Sequence, residues 1–273
     1  LGFVAWRKDG KILMGKILRD GSKKGVLLIH GLTGSPLEMQ PVDVSLRQQG
    51  YHTRLITLPG HGERPDKRFF ETSAFEILDH CAAEYERFAS SVDEVYIVGH
   101  SLGGICTLLT AAVQPPKLGG IVVFSAPYEH AYFYNHIRGL TQMSLPQLVR
   151  SLYLAPRDRI AFTRPDVKLW NVPKLLQQTQ IIFSLMKEQV GQIQVPVSLA
   201  HSIYDLTIPY REMEKLAQVI GQSAPVKMTA LERSGHRIFP VSQDMDIAVQ
   251  VILDFLEADC QAMRDRWPIR QPV

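Results

Sequence analysis

From Val26 onward, short and nearly unbroken apolar runs alternate with longer stretches in which apolar residues return every three or four positions. Unbroken runs mark strands buried on both faces and the longer period marks amphipathic helices, so the alternation predicts a mostly parallel sheet joined by crossover helices. The strands are expected at 26–29, 53–57, 95–98, 121–124, 197–200 and 227–230, and the helices at 39–49, 74–90, 102–113, 174–190, 211–220 and 244–258. The last helix carries Ile247, Val251, Leu253, Phe255 and Leu256 on roughly one side. Ahead of these elements, apolar segments at 3–6 and 12–18 flank Asp9-Gly10, a turn dipeptide that predicts a hairpin at the sheet edge.

Residues 128–171 break the alternation. They are rich in aromatic residues and arginine, are punctuated by Pro146, Pro156 and Pro165, and fall between two core strands, which is how a cap over a binding site reads. The expected organisation is therefore a core domain of 1–127 and 172–273 with a cap of 128–171. A length of 273 residues suits one large α/β domain with such an insertion. With 45% hydrophobic and 21% charged residues, the composition excludes a wholly disordered chain.

The net charge of +3 arises from 30 basic and 27 acidic residues dispersed along the chain. Without a clustered basic stripe, nucleic acid is not an expected partner. Cys81, Cys106 and Cys260 are an odd number at wide spacings, which argues against a disulfide framework or a metal knuckle and for a reducing compartment. No run approaches the roughly 18 apolar residues of a membrane span, and the first ten residues hold no apolar signal core, so a cytoplasmic location is expected. The chain opens at Leu1 rather than Met, which leaves open a removed upstream segment, a signal peptide included.

The strongest chemical signal is Gly99-His100-Ser101-Leu102-Gly103, a G-x-S-x-G run directly after one predicted strand and directly before a predicted helix. A serine on so sharp a turn is lifted to a helix N-terminus, and glycines are needed on either side because side chains there would strike neighbouring backbone. Serine is a weak nucleophile near neutral pH, so a base must take its proton and a third group must hold that base. In enzymes with this turn the partners follow in the order serine, acid, histidine, which leaves His130, His136, His201 and His236. His236, in Ser234-Gly235-His236 past the end of a strand, is the first choice, and His201 the second, with backbone hydrogen bonding as its ordinary role. Asp205 follows the strand at 197–200 and is the expected acid; Glu232 is its rival, though close to His236 along the chain. The glycines of His30-Gly31-Leu32-Thr33-Gly34 permit a backbone amide to face the site, and the amides of Leu32 and Leu102 are the expected oxyanion donors.

Five runs in order, H-G-L-T-G at His30, L-P-G-H-G at Leu58, G-H-S-L-G-G at Gly99, D-x-x-I-P at Asp205 and S-G-H at Ser234, resemble the α/β-hydrolase superfamily over nearly the whole chain. The layout is most similar to small bacterial carboxylesterases and monoacylglycerol lipases. The resemblance implies a triad of Ser101, Asp205 and His236, an oxyanion hole at Leu32 and Leu102, an eight-stranded sheet, and no cofactor or metal. His61 of the L-P-G-H-G run is expected to be a structural loop histidine. One departure is Ser202, where many relatives carry glycine three residues before the acid, so the shape of that loop is in question.

The implied activity is carboxylic ester hydrolysis through an acyl-enzyme, on a small ester with an apolar acyl or aryl group. Tyr128, Tyr132, Phe133, Met143 and Leu148 of the cap are the candidate substrate contacts, although the same residues suit packing of the cap onto the core. The same triad serves C–C or amide cleavage, and the scaffold can also serve as a small-molecule receptor.

Overall fold

A computed structural model of the chain describes residues 2–8, 11–17, 23–32, 34–62, 68–131, 172–239, 242–258 and 263. The first strands, β1 (Gly2–Lys8) and β2 (Lys11–Ile17), pair antiparallel from Gly2 opposite Ile17 to Lys8 opposite Lys11. Then follow β3 (Lys24–Ile29), α1 (Pro36–Gln48), β4 (His52–Ile56), α2 (Arg68–Glu71), α3 (Ala74–Ala89), β5 (Glu94–His100), α4 (Leu102–Ala112) and β6 (Leu118–Phe124). The described chain resumes with α5 (Val172–Gln189) and a short 3-10 turn (Val190–Gln192). It ends with β7 (Val197–Ser202), α6 (Arg211–Ile220), β8 (Val226–Leu231) and α7 (Met245–Glu257).

Strands β3 to β8 form one parallel sheet in the order β4-β3-β5-β6-β7-β8. Each lies close to its predicted position. The expected eight-stranded sheet is corrected, among the described residues, to six strands plus a two-stranded hairpin. Strands β1 and β2 spend their ladder hydrogen bonds on one another, and β4 is the edge of the larger sheet.

Because side chains alternate across a strand, the sheet feeds two cores. Leu27, Ile29, Ile97, Ile121, Val123 and Leu199 face α3, α4, α5 and α6, whereas Val26, Leu28, Tyr96, Val98, Val122 and Phe124 face α1 and α7. Helix α7 buries Ala248, Val251, Ile252, Phe255 and Leu256, a stripe at spacings of three and four. That stripe is rotated from the predicted one and leaves Ile247 partly exposed. Helix α1 begins three residues ahead of expectation because Ser35 caps it, its hydroxyl accepting from the Leu37 amide at 3.3 Å, and Pro36 occupies the first turn. No described helix is long and apolar enough to cross a membrane.

The chain leaves β3 for β4 on one side and then crosses to β5 on the other. The carboxyl ends of β3 and β5 therefore diverge into a crevice, the place where open α/β sheets build their sites.

Burial along the sheet sets the cost of truncation. Leu28→Ala, at a fully buried position of β3, is expected to lose about 2 to 5 kcal/mol in urea unfolding. Met228→Ala, half exposed on edge strand β8, is expected to change stability by about 0.5 kcal/mol or less in the same measurement.

Candidate active site

Ser101 sits between the end of β5 and the first residue of α4 with φ 54° and ψ −117°, a conformation that a non-glycine residue rarely adopts. The neighbours make it possible. A Cβ on Gly99 would collide with the Gly103 carbonyl and the Thr107 hydroxyl, and one on Gly103 would collide with the Ile29 and His30 carbonyl oxygens. The turn is fixed from the sheet side by the Ser101 amide, which donates to the Phe124 carbonyl at 2.9 Å. The N-terminus of α4, with amides that have no acceptor inside the helix, opens at the same point.

Loops from three more strands converge on Ser101. His236, past β8, places its Nε2 at 3.1 Å from Ser101 Oγ and its Nδ1 at 2.8 Å from Asp205 Oδ2. An ionised Asp205 can only accept, so Nδ1 carries the proton and Nε2 accepts from the serine hydroxyl. The other carboxylate oxygen of Asp205 accepts from the amides of Thr207 at 2.9 Å and Ile208 at 2.8 Å. Glu232, the rival acid, is exposed. From β3, the buried Gly31 lies so close that a Cβ on it would touch Ser101 Cβ and His100 Nδ1 at 3.3 Å, and Leu32 follows.

The electrostatics suit a proton transfer. Burial pushes the Asp205 carboxyl up, but hydrogen bonds from His201 and His236 and the charge of His236 outweigh it and hold the group well below the carboxylate range. Burial pulls the His236 imidazole below its ordinary value; Asp205 pushes it up, and His100 and His201 add to the lowering. At neutral pH the base is neutral and the acid ionised.

Four described residues support the triad, and of these the sequence singled out all but Asp244. His201, the second-choice base, is buried with Nε2 at 2.8 Å from the Ile208 carbonyl and 3.3 Å from Asp205 Oδ2. It braces the acid loop and does not bond to the serine. Ser202, the departure from the expected glycine, donates its hydroxyl to the Ser234 carbonyl and accepts from the Tyr204 amide at 3.1 Å, so it ties the acid loop to the base loop. Asp244, fully buried ahead of α7, accepts from Ser234 Oγ and the Arg233 amide, both at 2.7 Å. His61 bonds within its own loop, Nδ1 donating to Pro59 at 2.9 Å, and its ring rests edge-on against Phe69.

Of the candidate substrate contacts, Tyr128 is half-buried against the core with Lys187 Nζ 5.1 Å over its ring. Tyr132, Phe133, Met143 and Leu148 lie outside the described residues. A cavity of about 300 Å³ between α5 and residues 129–131 is lined by Glu129, His130, Phe183 and Lys187 among others, and by none of Ser101, Asp205 and His236.

A model of the alpha/beta hydrolase family matches residues 26–250. The chain belongs to that family. As an alpha/beta hydrolase it is similar to a thermostable monoacylglycerol lipase of Bacillus sp. (strain H-257), at 24% identity over 85% of this chain and 89% of the relative. It is also similar to a carboxylesterase of Bacillus subtilis (strain 168), at 22% identity over 87% of this chain and 94% of the relative. Among solved structures, a monoacylglycerol lipase of Paleococcus ferrophilus superposes with a TM-score of 0.63 at 19% identity, covering 94% of this chain and 98% of that one.

Ser202→Ala leaves the Ser234 carbonyl and the Tyr204 amide without the Ser202 hydroxyl. A stability loss of about 1 to 3 kcal/mol is expected in denaturant unfolding, with a fall in the rate of serine labelling by a fluorophosphonate.

Proposed function

We propose that the protein is a serine carboxylic ester hydrolase, with Ser101 as nucleophile, His236 as general base and then acid, and Asp205 as the group that orients the base. The observation that carries this reading is the unbroken line from Asp205 Oδ2 through His236 to Ser101 Oγ at 2.8 and 3.1 Å. Family membership and the likeness to lipases and carboxylesterases support the ester as the bond cleaved.

Ser101 Oγ attacks the ester carbonyl carbon while His236 Nε2 takes its proton. The carbonyl oxygen becomes an oxyanion held by the amides of Leu32 and Leu102 at the α4 N-terminus. Each such donor is worth roughly 3 to 4 kcal/mol in the transition state. Collapse of the intermediate breaks the C–O bond, the leaving alcohol takes the proton from His236, and the acyl group stays on Ser101. Water then repeats the sequence, giving its proton to His236 and releasing the carboxylic acid.

Residues 128–171 act as a cap over this site, and its aromatic and apolar residues receive an acyl or aryl group. The substrate is a small ester, such as one with a short or medium acyl chain or a monoglyceride, and needs neither cofactor nor nucleic acid. A reducing, cytoplasmic setting suits the buried free thiols of Cys81 and Cys106.

Turnover of p-nitrophenyl esters by the purified protein is expected and should be lost in Ser101→Ala; comparable rates for the two would overturn the reading. Asp205→Asn is expected to lower kcat by about 10⁴-fold, since the base then loses its tautomer and its counter-charge.

The pH dependence follows from His236, which must be neutral to accept a proton. Its value lies below the ordinary 6.5, so activity should hold through neutral pH and fall only as pH drops through that lowered value. A kcat/KM profile with its acid limb centred above 6.5 would contradict this assignment.

A further inference from the structure

Behind the catalytic line lies a second carboxylate–imidazole pair that the proposed reaction does not use. Glu38, in the first turn of α1, sets Oε1 against His100 Nδ1, and its Oε2 accepts from the Gly31 amide at 3.4 Å. On its far side, His100 places Nε2 at 2.9 Å from the backbone carbonyl of His236. His100 is 3% exposed and directly precedes Ser101. Gly34 leaves the room: a Cβ there would strike Glu38 Oε2.

The ion contact at one nitrogen and the carbonyl at the other limit the states open to the ring. With Glu38 ionised, the two nitrogens of His100 lie against a carboxylate and a carbonyl, both acceptors, and a neutral imidazole carries only one N–H for the two. We propose that Glu38 and an imidazolium at His100 form a positioning pair that locks the loop after β3, the turn bearing Ser101 and the loop bearing His236 in their working geometry. The inference rests on the ester-hydrolase reading for its effect on rate.

Other charged and titratable groups around the pair agree with it. Burial pulls His100 down, but Glu38 and the His236 carbonyl, with a smaller share from Asp205, raise it above its ordinary value. Burial pushes Glu38 up, but His100, then His30 and the Gly31 amide, hold it below its ordinary value. A buried ion pair is a poor source of stability, because desolvating both charges offsets most of their attraction. Its worth here is register among three loops.

The test pairs kinetics with a spectroscopic readout. Glu38→Gln is expected to lower kcat about 10- to 100-fold with KM changed less than about two-fold, per active site titrated with a fluorophosphonate. In a His100→Asn background, Glu38→Gln should add nothing further, since Glu38 acts through His100. In the wild type, ¹⁵N spectra near pH 7.5 should show both ring nitrogens of His100 protonated. An unchanged kcat in Glu38→Gln, losses that multiply in the double variant, or a single protonated nitrogen on His100 would each overturn the proposal. If Glu38→Gln does not fold, the wild-type spectrum decides alone. Absence of Ser101-dependent ester turnover in the wild type would count against the proposed activity, whereas a neutral His100 counts against the pair.

Discussion

Gly103 lies so close to the end of β3 that a single methyl group there would strike the carbonyl oxygens of Ile29 and His30. That contact presses the first turn of α4 onto the central strand and forces the intervening residue, Ser101, into positive φ. The strain is tolerable because the sheet on either side is rigid: β3 and β5 are paired in register from Lys24 opposite Glu94 to Ile29 opposite Gly99, and nearly every side chain along them is buried. The same closeness brings Gly31 against Ser101. Strand crossover, glycine contact and strained turn are one constraint seen at three scales, and the site exists where they meet.

Buried histidines supply most of the polar order around this point, and each has its tautomer set by what it faces. His30 gives Nδ1–H to the Gly31 carbonyl and accepts the Leu58 amide on Nε2, which pins the loop after β4 to the loop after β3. His201 gives Nε2–H to the Ile208 carbonyl, which closes the acid loop. Among the described residues, only His236 has an acceptor nitrogen aimed at a serine hydroxyl. The neighbours thus sort chemically identical side chains into structural donors and one candidate base.

The sheet was legible because its strands, buried on both faces, must be continuously apolar, and the helices because their buried faces repeat at three and four. Ser101, Asp205 and His236 were legible because each directly follows a strand, where parallel topology gathers loop residues at one edge. The supporting shell was not. Nothing in the local sequence says that Ser202 reaches Ser234 or that Asp244 reaches back to Arg233, since both contacts join loops remote along the chain. Glu38 was not read at all, although Ser35-x-x-Glu38 has the spacing of a capping box, the arrangement that Ser73 and Glu76 form at the start of α3. At α1, Ser35 caps, but the glutamate turns to His100 and Gly31. The sheet's extent was misjudged because the count of eight strands came from the family resemblance, whereas β1 and β2 pair with one another.

The root of the 128–171 segment is held by a different set of groups. Glu212, fully buried in the first turn of α6, accepts from the amides of Tyr128 at 3.0 Å and Glu129 at 2.6 Å, and Lys215 balances its charge at 3.0 Å. Glu129 in turn pairs with Lys187 of α5. None of these groups bonds to Ser101, His236 or Asp205, whose own supports come from the strands and loops of β3 and β5–β8, from Glu38 of α1 and from the start of α7. Interactions that share no partner change nearly independently. The root of the segment, at Tyr128 and Glu129, is therefore anchored by groups other than those that bond to Ser101, Asp205 and His236.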